Sequence, residues 1–539
     1  MPIILVILFV LAYFSGYAQQ PFISPSNSVY QYSVPVGDRQ AFLWVPPNCK
    51  DVRGVIISLS NLLERKWLED PLIRKTATEE GLGIIWVGPG KASPLTADMK
   101  PGAGEALQKM LKDLASESGY SEIEYAPILP MGHSANGHFA WTVANWNPDR
   151  VIAAIPVKTV PFPASFNFEN VPVCYVVGET TEWPQYRVPD PATKPGDRDF
   201  FWPVVRQSAV ALRTANENNL VAVVTDPGGG HFDWNERQAK FIALYIKKAC
   251  HYRLPKQAAK DTFVQLNKIK KESGWLTDTG GMEPDTFPRA PYKQYKGDPK
   301  KAYWFFDEET AKAAVQFNGD RKKRQKQMLT FVQDGQLLPV AKQGFAPLKY
   351  MPEEDGLTFT VEGAFLPEVP KELIGRGTKL GHAKGPISFR VITGPAVQIG
   401  PTTFRIQFDR TGLGGDIWLQ EEHPGNSEYR HAVQPGLMKI PAKLTRGKSQ
   451  VITFPGIRDR KAGTKAIPLS ARSDSGLPVQ YYIVAGPAVV EGDVLRLTKI
   501  PVKSKFPVKV TVVAYQWGRT FAPLYQTAEM VERTFYIIR

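Results

Sequence analysis

The chain has 539 residues, more than a single hydrophobic core usually supports, so about three or four domains are expected. Its three cysteines, Cys49, Cys174 and Cys250, cannot all pair with one another, which excludes a disulfide framework and leaves at most one bridge, between Cys49 and Cys250. The net charge of +14 is uneven: basic and acidic residues balance over the first 250 positions and the excess lies beyond, which suits an anionic glycan or cell-envelope surface as readily as ordinary solvated faces.

From Met1 to Phe14 the chain is almost wholly apolar, and Gly16-Tyr17-Ala18 then supplies small residues where a signal peptidase reads. A signal peptide over residues 1–18 is expected, because the run is short for a membrane span and no other long one follows. Without a cysteine near the cleavage site a lipid anchor is not expected, and the mature protein is expected to be secreted or periplasmic. An exported chain with no recognisable nucleic-acid motif is expected to bind no nucleic acid.

Between residues 28 and 251 short apolar runs alternate with helix-length amphipathic segments, the pattern of a mostly parallel sheet covered on both faces, and hence of a doubly wound α/β domain. The runs are Val55–Leu59, Ile84–Val87, Ala126–Met131, Ile152–Val157, Val171–Val177 and Leu220–Thr225. One helix is well punctuated, with Asp70 as cap, Pro71 in the first position and Gly81 at the end. Val29–Val34 and Gln40–Val45 alternate and read as an antiparallel pair added at the sheet edge.

Residues 252–350 are rich in Lys, Pro and Gly and read as a connecting or bracing region, with helices expected at Ala258–Glu272 and Glu308–Leu329. The cluster Tyr303-Trp304-Phe305-Phe306 implies that part of it packs against something. Further on, Ile-Thr-Gly-Pro-Ala-Val-Gln-Ile-Gly at 392–400 returns as Val-Ala-Gly-Pro-Ala-Val-Val-Glu-Gly at 484–492, so a repeat is expected, with β-sandwich modules over 351–445 and 446–539. With Ser-Gly-Leu-Pro-Val at 475–479 and the strand Val508–Ala514, the second copy resembles bacterial immunoglobulin-like domains. Trp418, Trp517, Tyr481 and Tyr515 are available for a sugar platform, but aromatics on strands more often serve as core or cross-strand partners.

The chemistry centres on Pro130-Met131-Gly132-His133-Ser134-Ala135-Asn136-Gly137, placed directly after an apolar strand and before the helical segment His138–Trp146. A serine on a sharp strand-to-helix turn projects its hydroxyl above the sheet. Here the chain resembles the α/β-hydrolase family over residues 28–250, with Asn136 standing where that family usually has glycine. The resemblance implies that Ser134 is a nucleophile and that His231, in the loop Pro227-Gly228-Gly229-Gly230-His231-Phe232-Asp233 after the last strand, is its base. His133 and His138 are expected to line the pocket or pack. The triad acid is expected on the loop after Val173–Gly178, where Glu182 is preferred to Glu179, with Asp190 and Asp226 as more solvated candidates. Backbone amides of Ala135 and Leu62 are expected to stabilise an oxyanion, with help from the Asn61 side chain.

No metal-ligand spacing, dinucleotide fingerprint or phosphate loop appears, so no cofactor or metal is expected. The chain is expected to be a serine hydrolase of carboxylic esters, its substrate a polysaccharide-linked acyl ester, and the carboxyl-terminal modules are expected to stand outside the active site. Two alternatives stay open. One is a hydrolase fold that has lost activity and binds glycan; the other is a serine peptidase or polyester depolymerase on the same fold.

Overall fold

The structure is a computed structural model that describes residues 29–180, 182, 201–257, 259–278, 287–319, 323–341, 344–371, 373–411 and 415–539. The expected signal peptide lies outside the described residues. Among those residues no helix is long and apolar enough to cross a membrane.

The amino-terminal half is built on an eight-stranded sheet. Its strands are β1 (Tyr32–Val36), β2 (Arg39–Trp44), β3 (Gly54–Leu59), β4 (Leu82–Val87), β5 (Ile128–His133), β6 (Ile155–Val157), β7 (Val173–Gly178) and β8 (Val221–Asp226), in the order β1-β2-β4-β3-β5-β6-β7-β8. The pair β1–β2 and the contact β2–β4 are antiparallel and every other pairing is parallel. Strands β3 to β8 are buried along their whole length, because helices cover both faces, and this is why they read as unbroken apolar runs rather than alternating ones. The expected doubly wound, mostly parallel sheet is thus present, with its antiparallel pair at the edge.

Around it run α1 (Glu64–Leu68), α2 (Pro71–Glu80), α3 (Ala103–Ser118), α4 (Phe139–Trp146), α5 (Phe201–Ala215) and α6 (Glu236–Arg253). The Asp70 side chain accepts from the Leu72 amide and Gly81 closes α2 in the left-handed region, as the punctuation predicts. All three cysteines are free; Cys174 and Cys250 are buried, and Cys49 donates to the Asp51 carbonyl instead of forming a bridge.

In the region expected to connect, two helices are corrected. Residues 259–270 form no helix. There Asn267 exchanges backbone and side-chain bonds with Arg253, and Leu266 and Ile269 are buried against the preceding domain, so the segment finds its hydrogen bonds outside itself. The second helix, α7, spans Glu308–Gly319; residues 323–328 are not helical, and Leu329–Gln333 is a strand. Phe306 packs on Tyr245 and Tyr252 of α6, and Asn318 accepts from the Thr225 amide of β8, so this region closes the end of the large sheet. The strand Ala346–Leu348 pairs with Ala432–Lys439 and Leu329–Gln333 with Glu362–Phe365, so β structure of the following module begins before residue 351.

The repeat is written into the sheets. In the first module a four-stranded sheet orders 346–348, 432–439, 416–423 and 388–393 beside a three-stranded sheet of 358–360, 403–406 and 396–398. The second module orders 460–461, 531–538, 508–515 and 480–485 beside 467–468, 494–497 and 488–491, the same pattern strand for strand. Even the register break recurs, between Val391 and Thr393 and again between Ile483 and Ala485. Trp418, Trp517, Tyr481 and Tyr515 are all buried, so none offers a sugar platform.

Candidate active site

Strand β5 ends at His133, and the chain turns through Ser134 with φ at 51°, in the left-handed region that a side chain adopts only when its surroundings enforce it. The turn is tight on both sides. A Cβ on Gly132 would lie 2.2 Å from the Asn136 carbonyl oxygen, and one on Gly137 would lie 2.3 Å from Thr159 Cβ. Glycine is therefore needed at 137, where Thr159 packs and donates to the Ser134 carbonyl at 2.6 Å. Asn136 is free to carry a side chain, which donates to the Ser60 carbonyl at 2.7 Å and ties the turn to the loop after β3.

The Ser134 hydroxyl lies 2.8 Å from His231 Nε2, and His231 Nδ1 lies 2.6 Å from Glu182 Oε1. A carboxylate can only accept, so Nδ1 carries the proton and Nε2 is left to receive one from the serine. Glu182 is buried, and its second oxygen accepts from the Gly178 amide at 2.6 Å, which fixes the carboxylate against the end of β7. Glu179 is equally buried but faces elsewhere: it accepts from the Gly228 amide at 2.7 Å and pairs with Arg430 at 3.5 Å. Of the two acids, the geometry brings Glu182 to the imidazole.

Asp226 is not solvated as expected. It is fully buried at the end of β8 and accepts from Asn235, Gln238 and Arg237, and beside it Asp233 pairs with the buried Lys158 at 3.1 Å and accepts from the Gly230 amide. Burial raises the Asp233 carboxyl above its ordinary range, and the Lys158 ammonium pulls it back. Asp190 lies outside the described residues.

His133 does more than line a pocket: its Nε2 donates to the His231 carbonyl at 2.9 Å. Burial, followed by the neighbouring His231, drives its pKa well below the usual histidine range, so it stays neutral and keeps this bond. His138 is half-buried on the far side of the turn, and burial lowers its pKa too.

The loop expected to supply an oxyanion donor requires a correction. Leu62 donates its amide to Glu64 Oε2 at 2.8 Å, Asn61 donates its own to the same oxygen at 2.9 Å, and Glu64 Oε1 accepts from the His133 amide at 2.9 Å. The Asn61 side chain is likewise engaged, with the His133 carbonyl. A single buried carboxylate therefore binds the loop after β3 to the serine turn, and burial pushes it up to about 7 against those backbone donors. Ala135 is exposed directly beside Ser134. Glu64 escaped sequence reading because it sits at the start of a five-residue helix with no motif around it; a charged residue directly after the loop 61–63 was the only available sign.

The carboxyl-terminal part is not remote from this site, contrary to expectation. Phe232 stands between His231 and Trp418, with ring centroids 4.6 Å from each, and Gln420 holds both the amide and the carbonyl of Trp234.

No protein-family model matches the chain, and no curated protein matches it. Among solved structures it is similar to a poly(3-hydroxybutyrate) depolymerase from Bordetella parapertussis, at 12% identity over 42% of this chain and 92% of that one, with a TM-score of 0.30. It is also similar to the siderophore hydrolase EstA from Aspergillus nidulans, at 11% identity over 44% of this chain and 100% of that one, with a TM-score of 0.31. A third is an esterase from Pyrobaculum calidifontis, at 16% identity over 41% and 87%, with a TM-score of 0.29.

Proposed function

We propose that the protein is a serine hydrolase of carboxylic esters, with Ser134 as nucleophile, His231 as general base and acid, and Glu182 as the acid that orients the imidazole. One observation carries the reading: Ser134 Oγ, His231 and Glu182 stand in a single hydrogen-bonded line, on a turn whose serine is held at positive φ. In this scheme Nε2 takes the serine proton as the hydroxyl attacks the ester carbonyl. The imidazolium, stabilised by Glu182, then returns that proton to the departing alcohol, leaving an acyl-enzyme. Water then adds to the acyl carbonyl as Nε2 takes its proton; the bond from the acyl carbon to Ser134 Oγ breaks, the imidazolium returns the proton to that oxygen, and the acid leaves.

The Ala135 amide is the first oxyanion donor in this reading. The second comes from the 61–63 loop, and Leu62 fills that role only where Glu64 yields its amide. The substrate is assigned as an acyl ester on a polysaccharide and the protein as exported, on the strength of the apolar leader sequence and the attached modules, which we assign as immunoglobulin-like. Purified protein is assayed on nitrophenyl acetate, longer acyl esters and feruloylated sugars beside Ser134→Ala, and labelled with a fluorophosphonate. Turnover and labelling that both vanish in Ser134→Ala support the reading; a folded wild type that neither turns over nor labels overturns it and favours the glycan-binding alternative.

A further inference from the structure

We propose that the first β module is a positioning element for the catalytic histidine and that Gln420 is the residue through which it acts; the inference rests on the hydrolase reading above. The loop that carries His231 leaves β8 through Pro227 and three consecutive glycines. Such a backbone loses more conformational freedom on ordering than any other, so the place of the imidazole depends on what grips the loop from outside. Part of that grip comes from the catalytic domain, through His133, Lys158 and Glu179.

The rest comes from a strand nearly two hundred residues away in sequence. On the strand Asp416–His423 alternate residues face opposite ways. Ile417 and Leu419 enter the core of their own module, whereas Trp418 and Gln420 meet the histidine loop. The Gln420 side chain, fully buried, accepts from the Trp234 amide at 3.1 Å and donates to the Trp234 carbonyl at 3.0 Å, closing a two-point clamp three residues after His231. Trp418 supports Phe232, which in turn meets the His231 ring edge-on at an interplanar angle of 84°. At the loop's other end Gly228, with φ at 77°, has the His431 carbonyl oxygen 2.1 Å from where a Cβ would stand, so the residue just before the strand Ala432–Lys439 packs directly against Gly228.

These contacts act on His231 only through the loop, so their loss slows the chemical step and leaves substrate binding largely intact. The test uses the full-length protein with Gln420→Ala, Gln420→Met, Trp418→Leu and, as a control in the second module, Lys503→Ala. For each, kcat and KM on a nitrophenyl ester, the rate of fluorophosphonate labelling, and the low-field proton resonance of the imidazole bonded to Glu182 are recorded. Both Gln420 variants are expected to lose about 10²-fold in kcat and in labelling rate with KM little changed, because a small misplacement of a reacting group has that cost. Their low-field resonance is expected to broaden, while Lys503→Ala keeps all wild-type values.

Gln420→Met keeps the side chain's length and apolar packing, and Trp418→Leu leaves the clamp in place, so one of them reports even if Gln420→Ala does not fold. Folded Gln420→Met and Trp418→Leu proteins with wild-type kcat and an unchanged resonance would overturn the proposal. A wild type that is itself inert to ester and fluorophosphonate overturns the hydrolase reading instead, and the two failures are thereby told apart.

Discussion

The two β modules share a strand pattern yet meet the amino-terminal α/β domain in different ways. The second joins it through a continuous apolar core: Tyr481, Val510 and Phe535 belong to the same buried cluster as the large sheet, and the Tyr30 carbonyl accepts from the Gly486 amide beside β1. The first centres on a separate buried cluster, with Phe359, Phe404, Ile417 and Leu419, which it shares with Tyr482, Val513, Tyr515 and Trp517 of the second. Of its described buried apolar residues only Ile392 and Trp418 join the cluster of the large sheet, and directed contacts supplement them. Arg65 pairs with Asp409 at 2.6 Å, Lys66 donates to the Val391 carbonyl, and Gln420 clamps Trp234. Apolar burial is non-directional and secures a module without fixing its neighbours' geometry; hydrogen bonds and buried ion pairs depend on distance and angle and therefore transmit position. Two copies of one architecture thus meet the same domain differently, one mainly by apolar burial and one with a polar clamp on the loop that carries His231.

The largest expected effect lies inside the α/β domain and, on the proposed hydrolase reading, sets the scale for the modules. Ser134→Ala and His231→Ala should each lower kcat by roughly four to six orders of magnitude without unfolding the protein, since either removes a member of one proton-transfer unit. Glu182→Gln should cost about 10⁴-fold and Glu179→Gln far less; steady-state kinetics with the reverse ranking would move the acid to Glu179.

Next comes the joint between α1 and the first module. Arg65→Met leaves Asp409 buried without its ion partner and should destabilise the protein by about 3–5 kcal/mol in a denaturant titration, whereas the double variant with Asp409→Leu should recover much of that loss. No recovery would mean that the pair is not the link.

A third expectation concerns Glu64. Its folded pKa, about 7, lies above the ordinary 4.5, so the folded protein holds a proton that the unfolded chain releases. Its contribution is therefore most favourable below 4.5 and is lost as pH rises through 7. Unfolding free energy measured across that window should fall for wild type relative to Glu64→Gln by up to about 3 kcal/mol, and a difference independent of pH would contradict the assignment.

Smallest is the second module's polar fringe. Lys503 is exposed and pairs at 3.0 Å with Glu122, which is buried but keeps a bond from the Val52 amide, so Lys503→Ala should cost about 1–2 kcal/mol and leave kcat untouched. A fall in kcat there would erase the contrast between the modules.

How much of this was legible in the sequence follows from the range of the interactions involved. The strands of the large sheet, the cap of α2, the serine turn and the loop bearing His231 were readable because local apolar runs, turn residues and spacing determine them. The repeat was readable too, since two Gly-Pro turns with similar flanks encode the same bend twice. Of the helices expected at 258–272 and 308–329, the first is missing over 259–270 and the second over 323–329, because the first segment pairs with Arg253 and Leu329 with Phe365, partners that no local pattern reveals. Tertiary structure alone decided that Glu182 and not Glu179 meets the imidazole, that Glu64 occupies the Leu62 amide, and that Gln420 reaches Trp234 from 186 residues away. The physical reason is common to all three. A short motif can specify a backbone bend, but the direction of a buried polar side chain is set by which distant donor or acceptor satisfies it, and that partner exists only once the chain is folded.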